Sequence, residues 1–263
     1  MPPKQPSPKD LISMADALEP ALRAAGDIIL QLYAKPEHSV STKSDLSPVT
    51  DADLASHDLL LSILAQVTPD WPVISEEDQT FTPAETGPYW LLDPLDGTKE
   101  FIARTGEFSI NLGLVVNHQA VFGLLYGPVD QLLFRGGQGV PAQMRDANGP
   151  WQPISCRPRP TDGGVLITSR RSTTTPQGES FGSREYLGSA LKFARIAQGL
   201  ADTYFRRGPT MEWDTCAGQA ILESAGGSVV ALDAHHAPSG APLRYGKPGY
   251  LNPGFVARGG ESR

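Results

Sequence analysis

Apolar residues recur three or four positions apart through Leu11, Ala15, Leu18, Ala21, Leu22, Ala25, Ile28, Ile29 and Leu32, the period of an amphipathic helix, with Pro20 as a kink or restart inside it. A second helix is expected from Thr50, an N-cap with Asp53 three positions on, through Leu54, Leu60, Leu61 and Leu64 to a stop at Pro69. Two short apolar runs, 71–75 and 89–92, predict buried strands. Each runs directly into acid, Glu76 and Glu77 after the first and Asp93 after the second. Strict alternation at Phe108, Ile110, Leu112, Leu114 and Val116, a break at Asn117 and His118, and a second run over 120–126 predict a hairpin that 131–135 extends. Beyond it, strand 165–168, helix 189–199, strand 202–206, helix 214–225 and strand 228–232 alternate in an α/β pattern. The Gly- and Pro-rich stretch 136–162 reads as the boundary between two lobes. The expected plan is a flexible polar tail over 1–9, an N-terminal α+β lobe over 10–140 with most of the acids, and a C-terminal α/β lobe over 160–258.

The 263 residues suffice for one large domain or two small lobes, and 27 glycines with 24 prolines make the chain turn-rich without the composition of collagen or of a disordered sequence. No apolar run approaches a membrane span, and the opening MPPKQPSPKD lacks the apolar core of a signal peptide. A soluble, cytoplasmic protein without a transmembrane segment is therefore expected, with peripheral membrane association left open. Cys156 and Cys216 are too few for a disulfide framework and have no CxxC spacing. The net charge of −7 and the lack of a basic run argue against a nucleic-acid polymer as partner. The same charge would repel a small phosphorylated substrate unless cations stood between it and the carboxylates.

Several motifs dissolve on inspection. The GxSxG at 178–182 lacks the strand that must precede a nucleophilic serine, and the GxGxxA of Gly137, Gly139 and Ala142 is broken by Pro141. The five histidines contain no HExxH and no i, i+4 pair, so each reads as a surface or core residue. The informative cluster is acidic. In LLDPLDGT (91–98), Asp93 leaves a strand end and Asp96 returns from a Pro-led turn, so both can converge on one point, with the Leu95 carbonyl as a further oxygen. A lone DxxD is as often an Asx turn capping a helix. Here Glu76 follows a strand in the same manner and Asp214 opens a helix. Gathering Glu76, Asp93, Asp96 and Asp214 would concentrate negative charge that only cations such as Mg²⁺ can offset.

Taken together, LSPVTDAD (46–53), ISEED (74–78), LLDPLDGTKEFI (91–102), GEFSINLGLV (106–115) and GPTMEWDTCAG (208–218) resemble the inositol monophosphatase superfamily. DPLDGTKEFI, with KSDLSPVT (43–50) and GSALK (188–192), is most similar to its 3'(2'),5'-bisphosphate nucleotidase branch, although Leu46 stands where that branch often has a polar residue. The resemblance covers about 11–253 in family order. It implies a layered α/β/α/β/α sandwich with the site between two lobes. Its metal ligands fall on Glu76, Asp93, the Leu95 carbonyl, Asp96 and Asp214, holding two or three Mg²⁺ ions. The water-activating pair falls on Thr98 and Asp45, with Glu76 helping to position the water, and substrate contacts fall on Gly97, Thr98, Ser189, Lys192 and Asp214. The activity implied is a lithium-sensitive phosphomonoesterase of sulfur metabolism that converts 3'-phosphoadenosine 5'-phosphate to AMP and phosphate by two-metal displacement. Ser189 and Lys192 lie three apart, so on a helix they would share a face beside the nucleotide. An inositol- or sugar-phosphate phosphatase and a non-catalytic nucleotide-binding protein are the competing readings, and monomer and homodimer are both compatible with the sequence.

Overall fold

Ser7 caps the first helix, α1 (Pro8–Tyr33). Its hydroxyl accepts the Asp10 N–H at 3.3 Å while the Asp10 carboxylate accepts the Ser7 N–H at 2.9 Å. The helix thus begins inside the stretch 1–9 expected as tail, and it runs through Pro20 without a break. The proline costs about 3 kcal/mol. Leu11, Ala15, Leu18, Leu22, Ala25 and Ile29 form one buried stripe on both sides of it, and each large side chain contributes about 2 kcal/mol, so the packed face carries the helix across.

The computed structural model describes residues 5–35, 40–42, 48–78, 87–147, 149–161, 163–170 and 172–260. After α1, β1 (Val40–Thr42) and β2 (Pro48–Thr50) pair antiparallel and lead into α2 (Asp51–Val67). A seven-stranded sheet follows in chain order: β3 (Val73–Ser75), β4 (Tyr89–Asp96), β5 (Ser109–Val116), β6 (Gln119–Gly127), β7 (Leu132–Gly137), β8 (Val140–Arg145) and β9 (Gln152–Pro153). The short α3 (Thr98–Ile102) lies between β4 and β5. Residues 136–162, expected as an inter-lobe boundary, therefore supply β8, β9 and the end of β7, and the first sheet runs to Pro153 instead of ending near 140.

The remaining elements are β10 (Val165–Thr168), β11 (Ser183–Tyr186), α4 (Leu191–Ala197), β12 (Thr203–Arg206), β13 (Thr210–Met211), α5 (Cys216–Ser224), β14 (Ser228–Leu232), β15 (Pro238–Pro242), β16 (Leu251–Asn252) and β17 (Phe255–Arg258). Six of these strands form a second sheet in the order β11-β10-β12-β17-β14-β15, and β13 pairs with β16. Among the described residues no helix is long and apolar enough to cross a membrane.

The layers follow from which side chains alternate to which face. Phe108, just ahead of β5, and Ile110, Leu112, Leu114 and Val116 on it pack with α1 and α2, whereas Val115, Leu125 and Phe134 turn to the other side, against α4, α5 and the second sheet. The far face of the second sheet carries Leu166, Phe205, Leu232 and Val256 with Phe181, and 172–182, between β10 and β11, contains no helix. The described elements thus build the layered α/β sandwich, with α1 and α2 on one face of the first sheet and α4 and α5 between the two sheets. The central contact is a close one. A Cβ on Gly113 would lie 2.5 Å from Cys216 Sγ, and one on Gly123 would lie 2.3 Å from the Ala217 carbonyl oxygen. The first turn of α5 is seated on two glycines of the sheet, which brings Asp214, just ahead of that turn, down to the end of β4.

Candidate active site

Asp93 and Asp96 are three residues apart on β4, so on a regular strand they would point to opposite faces. Asp93 is opposite Asn111 and Asp96 is opposite Ser109, so β4 spends one residue more than β5 between the two pairs. That extra residue, at Pro94 and Leu95, restores the parity and brings both acids to one side. Ser109 Oγ donates to Asn111 Oδ1 at 2.9 Å, and Asn111 Nδ2 donates to Asp96 Oδ2 at 3.0 Å, so β5 orients the second acid. The Ala190 N–H, from the other lobe, reaches the same oxygen at 2.5 Å.

Glu76 follows β3 and Asp214 precedes α5. Together with Asp93 they place one carboxylate oxygen each within 4.8 Å of one another. Asp93 Oδ1 accepts the Leu95 N–H at 3.1 Å, and its Oδ2 is buried with no hydrogen-bond partner among the described residues. Burial, and then Glu76, Asp96 and Asp214, hold the Asp93 carboxyl well above its ordinary pKa, and burial with Asp96 and Glu76 does the same to Asp214. Asp96 is pushed up to about 6 by burial, against the pull of Lys192, Asn111 and the Ala190 N–H. An orphaned carboxylate oxygen inside an all-oxygen group of like charges fits a hard divalent cation and suits neither soft nor nitrogen-preferring metals.

The sign of these shifts sets a pH dependence. Carboxyls whose folded pKa lies above the unfolded value contribute stability fully at pH below about 4, and that contribution is lost as pH rises through the folded values. The melting temperature of the metal-free protein should therefore fall between pH 4 and the region above 6, and saturating Mg²⁺ should flatten the decline. A calorimetric pH series with and without the ion measures both arms.

Thr98 opens α3 immediately after Gly97, whose φ of +99° and close approach to the Glu107 carbonyl leave no room for a side chain. Thr98 Oγ1 lies 3.1 Å from Asp53 Oδ1 and 3.3 Å from the Leu95 carbonyl oxygen. Among the described residues the carboxylate partner of this threonine is thus Asp53, expected from the sequence only as part of a helix cap. Asp45, expected in that place, lies outside the described residues. Asp53 does both jobs because it has two oxygens: Oδ2 takes the Thr50 N–H and hydroxyl at 2.8 and 2.6 Å, and Oδ1 remains for Thr98. Only its near-total burial, at 1% exposure, marks it out, and a TxxD cap gives no hint of that in the sequence.

Beside the acids lies a cavity of about 450 Å³ lined by Asp96, Gly97, Lys99, Arg170, Ser189, Lys192, Arg206, Thr210 and Asp214 among others. Arg206 Nε and Thr210 Oγ1 are buried there without a hydrogen-bond partner among the described residues, and Arg170 pairs with Glu107. Ser189 and Lys192 both line the cavity but do not share a helix face. Ser189 precedes α4 with a φ of +49°, and the Lys192 ammonium turns back onto the Ser189 and Leu187 carbonyls at 2.5 and 3.2 Å. Lys192 is 4% exposed, and burial lowers its pKa to about 8 despite the nearby Asp96 and Glu100.

The model of the inositol monophosphatase family matches residues 10–257. The chain belongs to that family. Within it, the chain is 39% identical over 257 residues to a 3'(2'),5'-bisphosphate nucleotidase CysQ of Escherichia coli O157:H7, covering 92% of this chain and 98% of the relative. It is 40% identical to the enzyme of the same description from Salmonella typhimurium over 253 residues, 89% of this chain and 94% of the relative. The crystal structure of CysQ from Bacteroides thetaiotaomicron superposes with a TM-score of 0.76 at 33% identity, covering 94% of this chain and 97% of that one. The inositol monophosphatase of Anabaena superposes with a TM-score of 0.72 at 27% identity, covering 95% and 92%. Members of this inositol monophosphatase family are metal-dependent phosphatases, and in this one Glu76, Asp93 and Asp214 form an acidic group that could hold a metal ion.

Proposed function

We propose that the protein is a Mg²⁺-dependent phosphomonoesterase that hydrolyses the 3'-phosphate of 3'-phosphoadenosine 5'-phosphate to AMP and phosphate. The observation that carries the reading is the juxtaposition of the Glu76, Asp93 and Asp214 carboxylates with a cavity whose lining includes Asp214 and Asp96 together with Arg170, Arg206 and Lys192. The curated names of relatives about 40% identical over nearly the whole chain support the choice of a bisphosphorylated nucleotide.

Glu76, Asp93, the Leu95 carbonyl, Asp96 and Asp214 would hold two or more Mg²⁺ ions, which supply charge neutralisation at the phosphoryl and leaving oxygens and raise the acidity of water. Thr98 has its hydroxyl hydrogen committed to Asp53 and so offers a lone pair to a water beside the acids. The water's proton passes through the Thr98 hydroxyl to Asp53 as the water oxygen bonds to phosphorus and the phosphorus–O3' bond breaks, and the departing O3' takes up a proton from solvent to give the 3'-hydroxyl of AMP. Asp53 takes here the role that the resemblance assigned to Asp45. Its pKa is raised, chiefly by burial and against the hydrogen bonds of Thr50 and Thr98, which makes it a better proton acceptor than a solvated aspartate. Gly97 lines the cavity and offers its backbone to the phosphate. The second phosphate of the substrate meets the cationic side chains of the cavity lining, where Arg206 Nε and Thr210 Oγ1 have unused hydrogen-bonding capacity.

Phosphate release from a panel of 3'-phosphoadenosine 5'-phosphate, inositol 1-phosphate and fructose 1,6-bisphosphate tests the reading. Turnover should vanish in excess chelator and return with Mg²⁺, and kcat/KM should be highest for the nucleotide. Undiminished activity in chelator would remove the metal mechanism. Equal or faster turnover of inositol 1-phosphate would remove the nucleotide preference and leave the family chemistry standing.

A further inference from the structure

Helix α2 sends three side chains into the site from one face, at positions i, i+3 and i+4, and each reaches a different segment. Asp53 meets Thr98, Ser56 Oγ donates to the Pro94 carbonyl at 2.8 Å, and His57 Nδ1 lies 2.8 Å from Ser75 Oγ. The first belongs to the proton route and the second braces the turn between two acids. The third has no part in the chemistry above.

We propose that His57 is a positioning residue that holds Glu76 in the acid cluster through Ser75. Ser75 ends β3 and is wholly buried, and Glu76 is the next residue, with its own N–H on the Leu92 carbonyl at 3.1 Å. The Ser75 hydroxyl oxygen accepts the Glu77 N–H at 3.4 Å, and the Ser75 carbonyl accepts the Asp78 N–H at 3.2 Å. Among the described residues the imidazole is the acceptor available to the Ser75 hydroxyl hydrogen, so Nδ1 accepts and the ring is neutral with its hydrogen on Nε2. Burial works in the same direction, holding the His57 pKa below the ordinary value against the pull of Asp58 and Asp78.

These bonds close the 75–78 turn from which the Glu76 carboxylate comes within 4.8 Å of Asp93 and Asp214. Like charges at that distance push the glutamate outward, and a glutamate side chain has enough torsional freedom to leave. Anchoring its backbone to α2 opposes the departure. Metal affinity should register the loss of the anchor, because ligands held in place before binding need less ordering when the ion arrives.

The inference rests on the metal reading, and the test separates the two. Mg²⁺ is titrated calorimetrically into the metal-free protein for wild type, His57→Ala, His57→Asn and Ser75→Ala. His57→Ala should weaken the Mg²⁺ Kd by about 10- to 100-fold, with the far-UV circular dichroism and metal-free Tm close to wild type. At saturating Mg²⁺ the KM for the phosphoester should stay within about twofold, since uniform substrate binding is untouched. His57→Asn puts an acceptor oxygen near the position of Nδ1 and should restore most of the affinity. Ser75→Ala should weaken binding as His57→Ala does, and the double variant should be no weaker than either single one. Wild-type Mg²⁺ affinity in His57→Ala or in Ser75→Ala overturns the proposal, as does an Asn variant no better than Ala. Should His57→Ala fail to fold, the Ser75→Ala and His57→Asn titrations decide alone. Absence of Mg²⁺ binding by the wild type would overturn the metal reading and this inference with it.

Discussion

Asp93→Asn should reduce turnover by roughly 10³-fold or more and at the same time raise the Tm of the metal-free protein. The two effects have one origin. Asparagine keeps Oδ1 as acceptor for the Leu95 N–H and replaces the orphaned Oδ2 with an NH₂ group facing Glu76 and Asp214. A buried negative charge crowded by others becomes a neutral donor to them, so the metal-free fold gains what the metal site loses. Asp214→Asn should behave in the same way, since the Asp214 carboxylate also accepts a backbone N–H, that of Met211 at 2.9 Å, and an amide oxygen can continue to do so. Thermal melts with and without Mg²⁺, beside turnover at saturating substrate, measure both halves. A variant that melts lower without metal would make these acids structural caps, and one that keeps its activity would remove them from the metal site.

Thr98→Ala should lower kcat by about 10²- to 10⁴-fold while the Mg²⁺ Kd changes little, the signature of a contact used in the transition state more than in metal binding. Thr98→Ser keeps the hydroxyl and should retain most of the rate. Asp53→Asn should match the alanine variant in kcat but also melt lower, because its Oδ2 satisfies the Thr50 N–H and hydroxyl at the start of α2. The double variant should be hardly slower than either single one, since both act on the same proton. Asp45→Asn provides the contrast: a rate close to wild type assigns the acceptor to Asp53, and a loss equal to that of Thr98→Ala with Asp53→Asn unaffected returns it to Asp45.

The secondary elements around the site are legible in the chain because each is written in a local period. The stripe from Leu11 to Ile29 gives α1, the Thr50–Asp53 pair opens α2, and the alternation from Phe108 to Val116 gives β5. The positions of Glu76, Asp93 and Asp96 at the ends of apolar runs are equally visible, because a buried strand that ends in acid needs a reason to do so. Alternation predicts one buried face for β5, yet both its faces are buried. The second is covered by α5, whose approach depends on glycines at 113 and 123 that are ordinary letters until the two elements meet.

The same limit governs the site. Nothing along the chain distinguishes a TxxD pair that merely caps a helix from one whose spare oxygen receives Thr98, because the difference lies 45 residues away. A lysine three places from a serine reads as a helix neighbour, but Ser189 lies outside α4 in a left-handed conformation and the Lys192 ammonium is bound by backbone carbonyls. His57 reads as one more unremarked histidine until α2 packs beside the end of β3 and Ser75 stands 2.8 Å from its ring. Periodicity and strand-end acids are properties of a segment, so the sequence alone determines the elements and the charge the site must carry. Which oxygen faces which hydrogen is decided by the packing of segments remote in sequence, and only the tertiary structure contains it.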